Sequence, residues 1–100
     1  MSTEQTIARN EINQDPEADL FIHNFSVYKK VKNIKEDIDL SDYSSIGKIN
    51  SVFSGKGYLE ENMSTKLPVN TEIFRAKADS QVVIAKTSEG YILYQSIPEG

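Results

Sequence analysis

Three strand-like runs follow one another in the last third of the chain. Residues 71–77, 81–86 and 91–97 are rich in β-branched and aromatic side chains, and turn-rich segments of three and four residues separate them. Connections this short join antiparallel strands, so we predict an antiparallel meander. The middle run has three consecutive apolar residues at 82–84, which is typical of a central strand.

Two shorter apolar runs upstream predict a β-hairpin. Residues 20–22 and 25–28 flank His23 and Asn24, and Asn tolerates the positive φ that a two-residue loop requires. We therefore expect the chain to turn at His23 and Asn24.

A further strand and a long loop lie between the hairpin and the meander. Residues 45–53 favour a strand, in which Gly47 marks a bulge or a close approach. Residues 54–70 are loop-like. Within them Pro68 fixes an extended entry to the meander, and Asn70 supplies a corner at positive φ.

Residues 29–43 allow two interpretations. Apolar side chains recur at the helical spacing i, i+3 and i+7, at Val31, Ile34 and Ile38. The alternation of Ile38 and Leu40 with a polar residue also fits an extended strand. We predict a short helix or turn over residues 31–37, followed by a loop.

The first seventeen residues are polar. Ile7, Ala8 and Ile12 could lie near one face of a helix, but almost all the other residues there are polar. The pair Asp15-Pro16 breaks any helix. We predict a flexible polar arm over residues 1–17 and a single β-rich domain over residues 18–100. The predicted fold is mainly β, with α+β as the alternative: a small antiparallel sheet or partly open barrel, with at most one or two short helices.

Charge and composition exclude several classes of function. The net charge is −4, and affinity for phosphate backbones comes from Lys and Arg, so we expect no nucleic-acid partner. Cysteine is absent, which excludes disulfides, thiolate catalysis and Cys-zinc sites. No apolar run is long enough to span a membrane, and the chain as given contains no signal peptide.

Candidate catalytic and metal residues are few. His23 is the single histidine, and one histidine without soft ligands nearby does not make a zinc site. The acidic cluster of Glu36, Asp37, Asp39 and Asp42 lacks the register and the turn glycine of a calcium loop. We predict no catalytic residue, metal or cofactor, and the chain is interpreted as a non-enzyme.

Aromatic residues on the predicted strands are the candidates for a ligand or partner surface. They are Tyr28, Phe74, Tyr91 and Tyr94. Because successive strand residues point to opposite faces, Tyr91 and Tyr94 should diverge, with at most one of them buried.

Several strings resemble small uncharacterised secreted lipoproteins of bacilli. They are residues 18–24, 27–28, 46–49, 65–74, 92–94 and 99–100. The chain departs from that pattern at Phe25 and Asn70, each of which replaces a glycine. The resemblance implies a β-rich domain and a lipid-anchored precursor at the cell surface. It carries over no catalytic residues.

Two functional hypotheses follow. The first is a non-enzymatic binding or structural domain, the mature part of an extracellular lipoprotein with an unknown protein or cell-envelope partner. It would touch a membrane only through a lipid anchor absent from this chain. The second is a cytoplasmic acidic interaction protein, such as a phage-type inhibitor or immunity protein. It would occupy a basic partner surface with residues 1–42, which hold nine acidic and five basic side chains. Either would be a monomer or weak dimer.

Overall fold

The computed structural model describes residues 1–98, so the part of the resemblance at Glu99-Gly100 lies outside the described residues. Over that range the chain forms one α-helix, eight strands and a single turn of 3-10 helix. In chain order they are α1 (Thr3–Gln14), β1 (Leu20–His23), β2 (Ser26–Ile34), the 3-10 turn (Leu40–Asp42), β3 (Tyr43–Lys48), β4 (Ser51–Val52), β5 (Met63–Ser64), β6 (Glu72–Ala76), β7 (Val82–Thr87) and β8 (Gly90–Ser96).

All eight strands belong to one curled sheet of order β3-β6-β7-β8-β2-β1-β5-β4. Every neighbouring pair is antiparallel except β4 and β5. The edge strands β3 and β4 are separated in the chain only by Ile49 and Asn50. The Ile49 N–H donates to the Thr71 carbonyl (2.9 Å), and the Asn50 N–H donates to the Asn62 carbonyl (2.8 Å). The sheet therefore curls into a half-barrel, and the prediction of a mainly β fold is confirmed.

The C-terminal meander forms as predicted. In its antiparallel register Ile84 lies opposite Phe74 on one side and Leu93 on the other. The register of β3 shifts between Ser45 and Gly47, which confirms the bulge. Asn70 has a φ of 74° and turns the chain into β6, as expected.

The hairpin of β1 and β2 also forms, but its turn lies one residue later than predicted. His23 pairs with Ser26, so the loop consists of Asn24 and Phe25, with φ values of 50° and 65°. The reason is that His23 completes β1, and its ring is held by Asn62 at 2.8 Å. The tight turn then places Phe25, rather than His23, at positive φ.

The predicted helix or turn over residues 31–37 is wrong, because β2 continues to Ile34. It pairs with β8 as far as Ile34 opposite Tyr91, with an irregularity between Lys30 and Lys32. A bulge there shifts the alternation of side chains by one residue. The spacing of Val31 and Ile34 therefore imitates a helical period within an extended strand.

The first residues form a helix, where the sequence predicted a flexible arm. Ser2 begins it with a reciprocal capping box, in which Ser2 Oγ accepts from the Gln5 N–H and Gln5 Oε1 accepts from the Ser2 N–H. The helix ends at Gln14, before the predicted break at Asp15-Pro16. Ala8 is fully buried against the sheet, so a narrow apolar stripe is enough to hold the helix in place.

The sheet has apolar clusters on both faces. Phe21 and Tyr28 belong to the inner cluster, together with Ile49, Leu67, Ile73, Val83, Ala85 and Tyr94. The helix covers an outer cluster made of Ala8, Ala18, Leu20, Ile22, Val27 and Leu59. Since β1 contributes to both clusters, its apolar residues are continuous rather than alternating.

The connection over residues 35–42 joins two strands, β2 and β3, that are not neighbours in the sheet. The antiparallel pairings leave β2 and β3 parallel with three strands between them, so the chain must traverse the sheet to join them. Ile84 and Phe74 are buried, and Ile84 points away from the inner residues Val83 and Ala85. Residues 35–37, at the beginning of this crossover, border the candidate site.

Candidate functional site

The structure does not bring the four predicted aromatic residues together on a surface. Tyr28, Phe74 and Tyr94 are buried, whereas Tyr91 is half-buried. Phe21 stacks on Tyr28 with ring centroids 5.3 Å apart and meets Tyr94 edge-on at 5.0 Å. Three of the four side chains are therefore part of the core, because both faces of the sheet are covered. Tyr91 is the one that remains accessible. Only Tyr94 of the pair Tyr91 and Tyr94 is buried, which agrees with the expectation that at most one of them is.

Tyr91 borders an open cleft of about 510 Å³, which we call the acidic cleft. It lies between the start of the crossover and the β7–β8 turn, and is lined by Asn33, Ile34, Lys35, Glu36, Asp37, Thr87, Glu89, Gly90, Tyr91 and Ile92. Three carboxylates and one lysine stand along this lining. The pairing of Ile34 with Tyr91 is what brings residues 35–37 beside the turn.

The β7–β8 turn fixes the position of Glu89. The Thr87 hydroxyl donates to the Gly90 carbonyl (2.8 Å) and accepts from the Glu89 N–H (3.2 Å). Gly90 has a φ of 125°, which suits glycine. Sequence reasoning missed Glu89, because its approach to Glu36 and Asp37 depends on the pairing of β2 with β8.

The predicted acidic cluster is divided in the structure. Glu36 and Asp37 line the cleft, whereas Asp39 caps the 3-10 turn by accepting from the Ser41 N–H at 2.9 Å. Hydrogen bonding from Ser41, through its side chain and then its backbone, lowers the pKa of the Asp39 carboxyl. Within residues 1–98 no group of three or more acidic or histidine side chains is arranged to hold a metal ion.

His23 has a structural setting. Its Nδ1 lies 2.8 Å from Asn62 Oδ1, and its side chain is mostly buried. A Cβ built on Gly47 would lie 3.5 Å from the ring, which is an ordinary van der Waals contact. His23 thus packs where β3 passes towards β4, with an amide rather than a nucleophile as its partner.

The tip of the β1–β2 hairpin carries an aromatic residue that sequence reasoning did not select. Phe25 is 69% exposed at a φ of 65°. The Glu61 carboxylate accepts hydrogen bonds from the Asn24 N–H and from the Phe25 N–H (3.3 Å). The signal in the sequence was the pair Asn-Phe at a turn where Asn-Gly is usual.

A second concave surface, which we call the helix groove, separates α1 from residues 53–59. Ile12, Phe53 and Leu59 contribute apolar side chains to this groove of about 220 Å³. The Arg9 Cζ lies 4.4 Å from the centroid of the Tyr58 ring. The groove was not predicted, because one of its walls is α1, and the sequence predicted a flexible arm in place of this helix.

Over residues 1–98 these features define a small curled β-sheet domain with one α-helix, an acidic cleft and a separate groove beside the helix. No protein-family model matches the chain, and comparison with curated proteins and with solved structures gave no match. Within residues 1–98 no helix is both long and apolar enough to cross a membrane.

Proposed function

We propose that this chain is a non-enzymatic binding domain that holds a basic segment of a protein partner in the acidic cleft. The observation that supports this function is the convergence of carboxylates from two distant parts of the chain. Glu36 and Asp37 follow β2, Glu89 belongs to the β7–β8 turn, and all three line one cleft beside Tyr91. Lys35 is the single cation in that lining.

The chemistry of the cleft fits lysine or arginine side chains. Exposed carboxylates attract cations over about 8–10 Å at physiological salt. Each exposed ion pair contributes about 0.2–1 kcal/mol, so useful affinity needs several at once. The half-buried Tyr91 ring adds an aromatic face on which a guanidinium can stack. Such a site favours fast, salt-sensitive association with a basic surface.

A titration followed by NMR tests this function with defined probes. A tetra-arginine peptide should shift the backbone amides of Glu36, Glu89 and Tyr91, and a tetra-glutamate peptide should not. Replacing the three carboxylates (Glu36→Gln, Asp37→Asn, Glu89→Gln) should weaken binding about tenfold, if each pair contributes about 0.5 kcal/mol.

A matched variant separates the cleft from net charge. Glu4→Gln, Glu17→Gln and Glu60→Gln together remove the same formal charge outside the cleft lining, and this variant should retain most of the affinity. Equal weakening in both triple variants would show that the peptide responds only to net charge. Shifts confined to other surfaces would also contradict the proposal.

The cell-surface location implied by the sequence resemblance is a separate proposal. Residues 3–14 form a helix that packs on the sheet, so they do not provide the flexible tether expected of an anchored form. The reading frame upstream of Met1 distinguishes the two locations. A hydrophobic leader ending in cysteine would support the lipoprotein, and its absence would support the cytoplasmic interaction protein.

A further inference from the structure

We propose that Phe25 of one copy of this chain docks into the helix groove of a second copy. The contact would join two different surfaces, the hairpin tip and the helix groove, so it would be head-to-tail. This inference is independent of the acidic cleft, which shares no lining residue with either surface.

Phe25 has a sterically strained backbone conformation, and contacts within the monomer do not offset that strain. The two-residue turn holds it at a φ of 65°, in the left-handed region that is sterically unfavourable for a residue with a side chain. Its side chain is 69% exposed, so intramolecular packing offsets little of that strain. A strained residue that presents an apolar ring to solvent points to a contact outside the monomer.

The hairpin tip is held rigidly for such a contact. The Glu61 carboxylate accepts from the backbone N–H groups of Asn24 and Phe25. The following residue, Asn62, donates its N–H to the Ile22 carbonyl at 2.7 Å and so ties this segment to β1. Because the turn is fixed before binding, little conformational entropy is lost when Phe25 docks.

The helix groove has room for a phenyl ring, and its lining combines apolar side chains with the polar Arg9 and Asn13. Its volume of about 220 Å³ exceeds the ~150 Å³ of an engineered cavity that binds benzene. Ile12 and Phe53 supply apolar contacts, Leu59 is almost fully buried, and the Tyr58 ring carries the Arg9 guanidinium on one face. A Cβ added at Gly55 or Gly57 would meet nothing within 4 Å, which leaves this rim open to an incoming side chain.

The charges beside the two surfaces are complementary. The Glu61 carboxylate binds the hairpin tip. Arg9 lines the helix groove. Lys66 lines an adjoining depression, where its ammonium group is paired with Glu17 at 2.6 Å. On a chain of net charge −4, a groove lined by Arg9 suits an aromatic anchor that has an acidic neighbour. The chain carries such an anchor at Phe25.

Sedimentation velocity over a range of concentrations tests the proposal. The wild-type chain should form open-ended oligomers or rings, because every copy has one tip and one groove. Phe25→Gly removes the anchor, and Asn13→Trp places a bulky ring in the groove from an exposed helix position. Each variant alone should be monomeric, and circular dichroism verifies that both are folded.

Mixing the two variants gives the decisive result. Phe25→Gly keeps an open groove and Asn13→Trp keeps the anchor, so an equimolar mixture should form a discrete 1:1 dimer. Val69→Ala, which trims an exposed apolar residue elsewhere, should associate like the wild type. The proposal is overturned if the wild type stays monomeric up to about 1 mM, if the mixture does not associate, or if Val69→Ala abolishes association.

Discussion

The hydroxyl of Tyr94 donates a 2.7 Å hydrogen bond to Asp19 Oδ1, across the intervening strand β2. The Asp19 carbonyl in turn accepts from the Lys30 N–H at 2.9 Å, and Lys30 pairs with Tyr94. The three residues thus form a row across β8, β2 and the residue before β1. Tyr94 is fully buried, so its hydroxyl depends on Asp19 for a partner.

Replacing Tyr94 by Phe should change how stability depends on alkaline pH. Burial first, and then the hydrogen bond to Asp19, raises the pKa of Tyr94 above its ordinary value of 10.0. The associated stability is present below pH 10 and is lost at higher pH, where the unfolded chain ionises and the folded chain keeps its proton. The wild type should therefore lose about 1.4 kcal/mol more per pH unit than Tyr94→Phe above pH 10.

Urea unfolding at a series of pH values measures this difference. Near neutral pH the variant should be less stable by about 1–3 kcal/mol, because a hydrogen bond to a charged group is lost. The gap between the two proteins should narrow as the pH rises beyond 10. Parallel stability curves would show that Tyr94 does not resist ionisation in the folded state.

Thr65→Val should destabilise the attachment of β1 to the segment after β5. The Thr65 hydroxyl donates to the Ala18 carbonyl (2.6 Å) and accepts from the Leu20 N–H (3.0 Å). Valine has nearly the same shape but satisfies neither group, so we expect a loss of about 2–3 kcal/mol in the free energy of unfolding. Thr65→Ser keeps the hydroxyl and should therefore lose less of the free energy of unfolding. Equal losses in the two variants would show that the effect comes from packing rather than from the hydrogen bonds.

The elements that the sequence predicted well are those whose partners are close in the chain. Strands β6, β7 and β8 pair with their immediate neighbours through short turns, so local patterns were sufficient. The last part of β2 depends on β8, more than fifty residues later. The helix depends on outer residues of β1 and β2, such as Ile22 and Val27. In both segments, burial against residues distant in the chain determines a structure that the local sequence pattern did not predict.

The candidate sites, like the strands, were predictable only where the information was local in the sequence. Glu36, Asp37 and Tyr91 were singled out in the sequence, but their meeting with Glu89 follows from one strand register. The four aromatic residues were selected because they are aromatic and lie on predicted strands. Only the burial of both sheet faces in the structure distinguishes the accessible Tyr91 from the three buried residues. Phe25 was visible as an unusual turn residue, yet its exposure became evident only with the turn in place.

Ala8→Asp tests whether the N-terminal helix belongs to the fold. Ala8 is fully buried in the outer cluster with Leu20, Ile22 and Val27. An unpaired carboxylate there carries a large desolvation penalty, so the helix should detach with a loss of more than about 3 kcal/mol. Hydrogen exchange should show fast amides over residues 3–14. Asn10→Asp adds the same charge at an exposed position and should leave exchange slow, whereas a flexible arm would make the two variants alike.

Phe25→Gly should stabilise the monomer, although it removes the largest exposed side chain of the hairpin. Glycine reaches a φ of 65° without a steric penalty. Its greater freedom in the unfolded chain offsets part of the gain, so we expect a net increase of about 0.5–1 kcal/mol in the free energy of unfolding. Phe25→Ala keeps the penalty and should change stability by less than about 0.5 kcal/mol. Unfolding in urea at low protein concentration separates this effect from self-association. If glycine were no more stabilising than alanine there, the turn would not be strained, and backbone strain at Phe25 would not support an intermolecular contact.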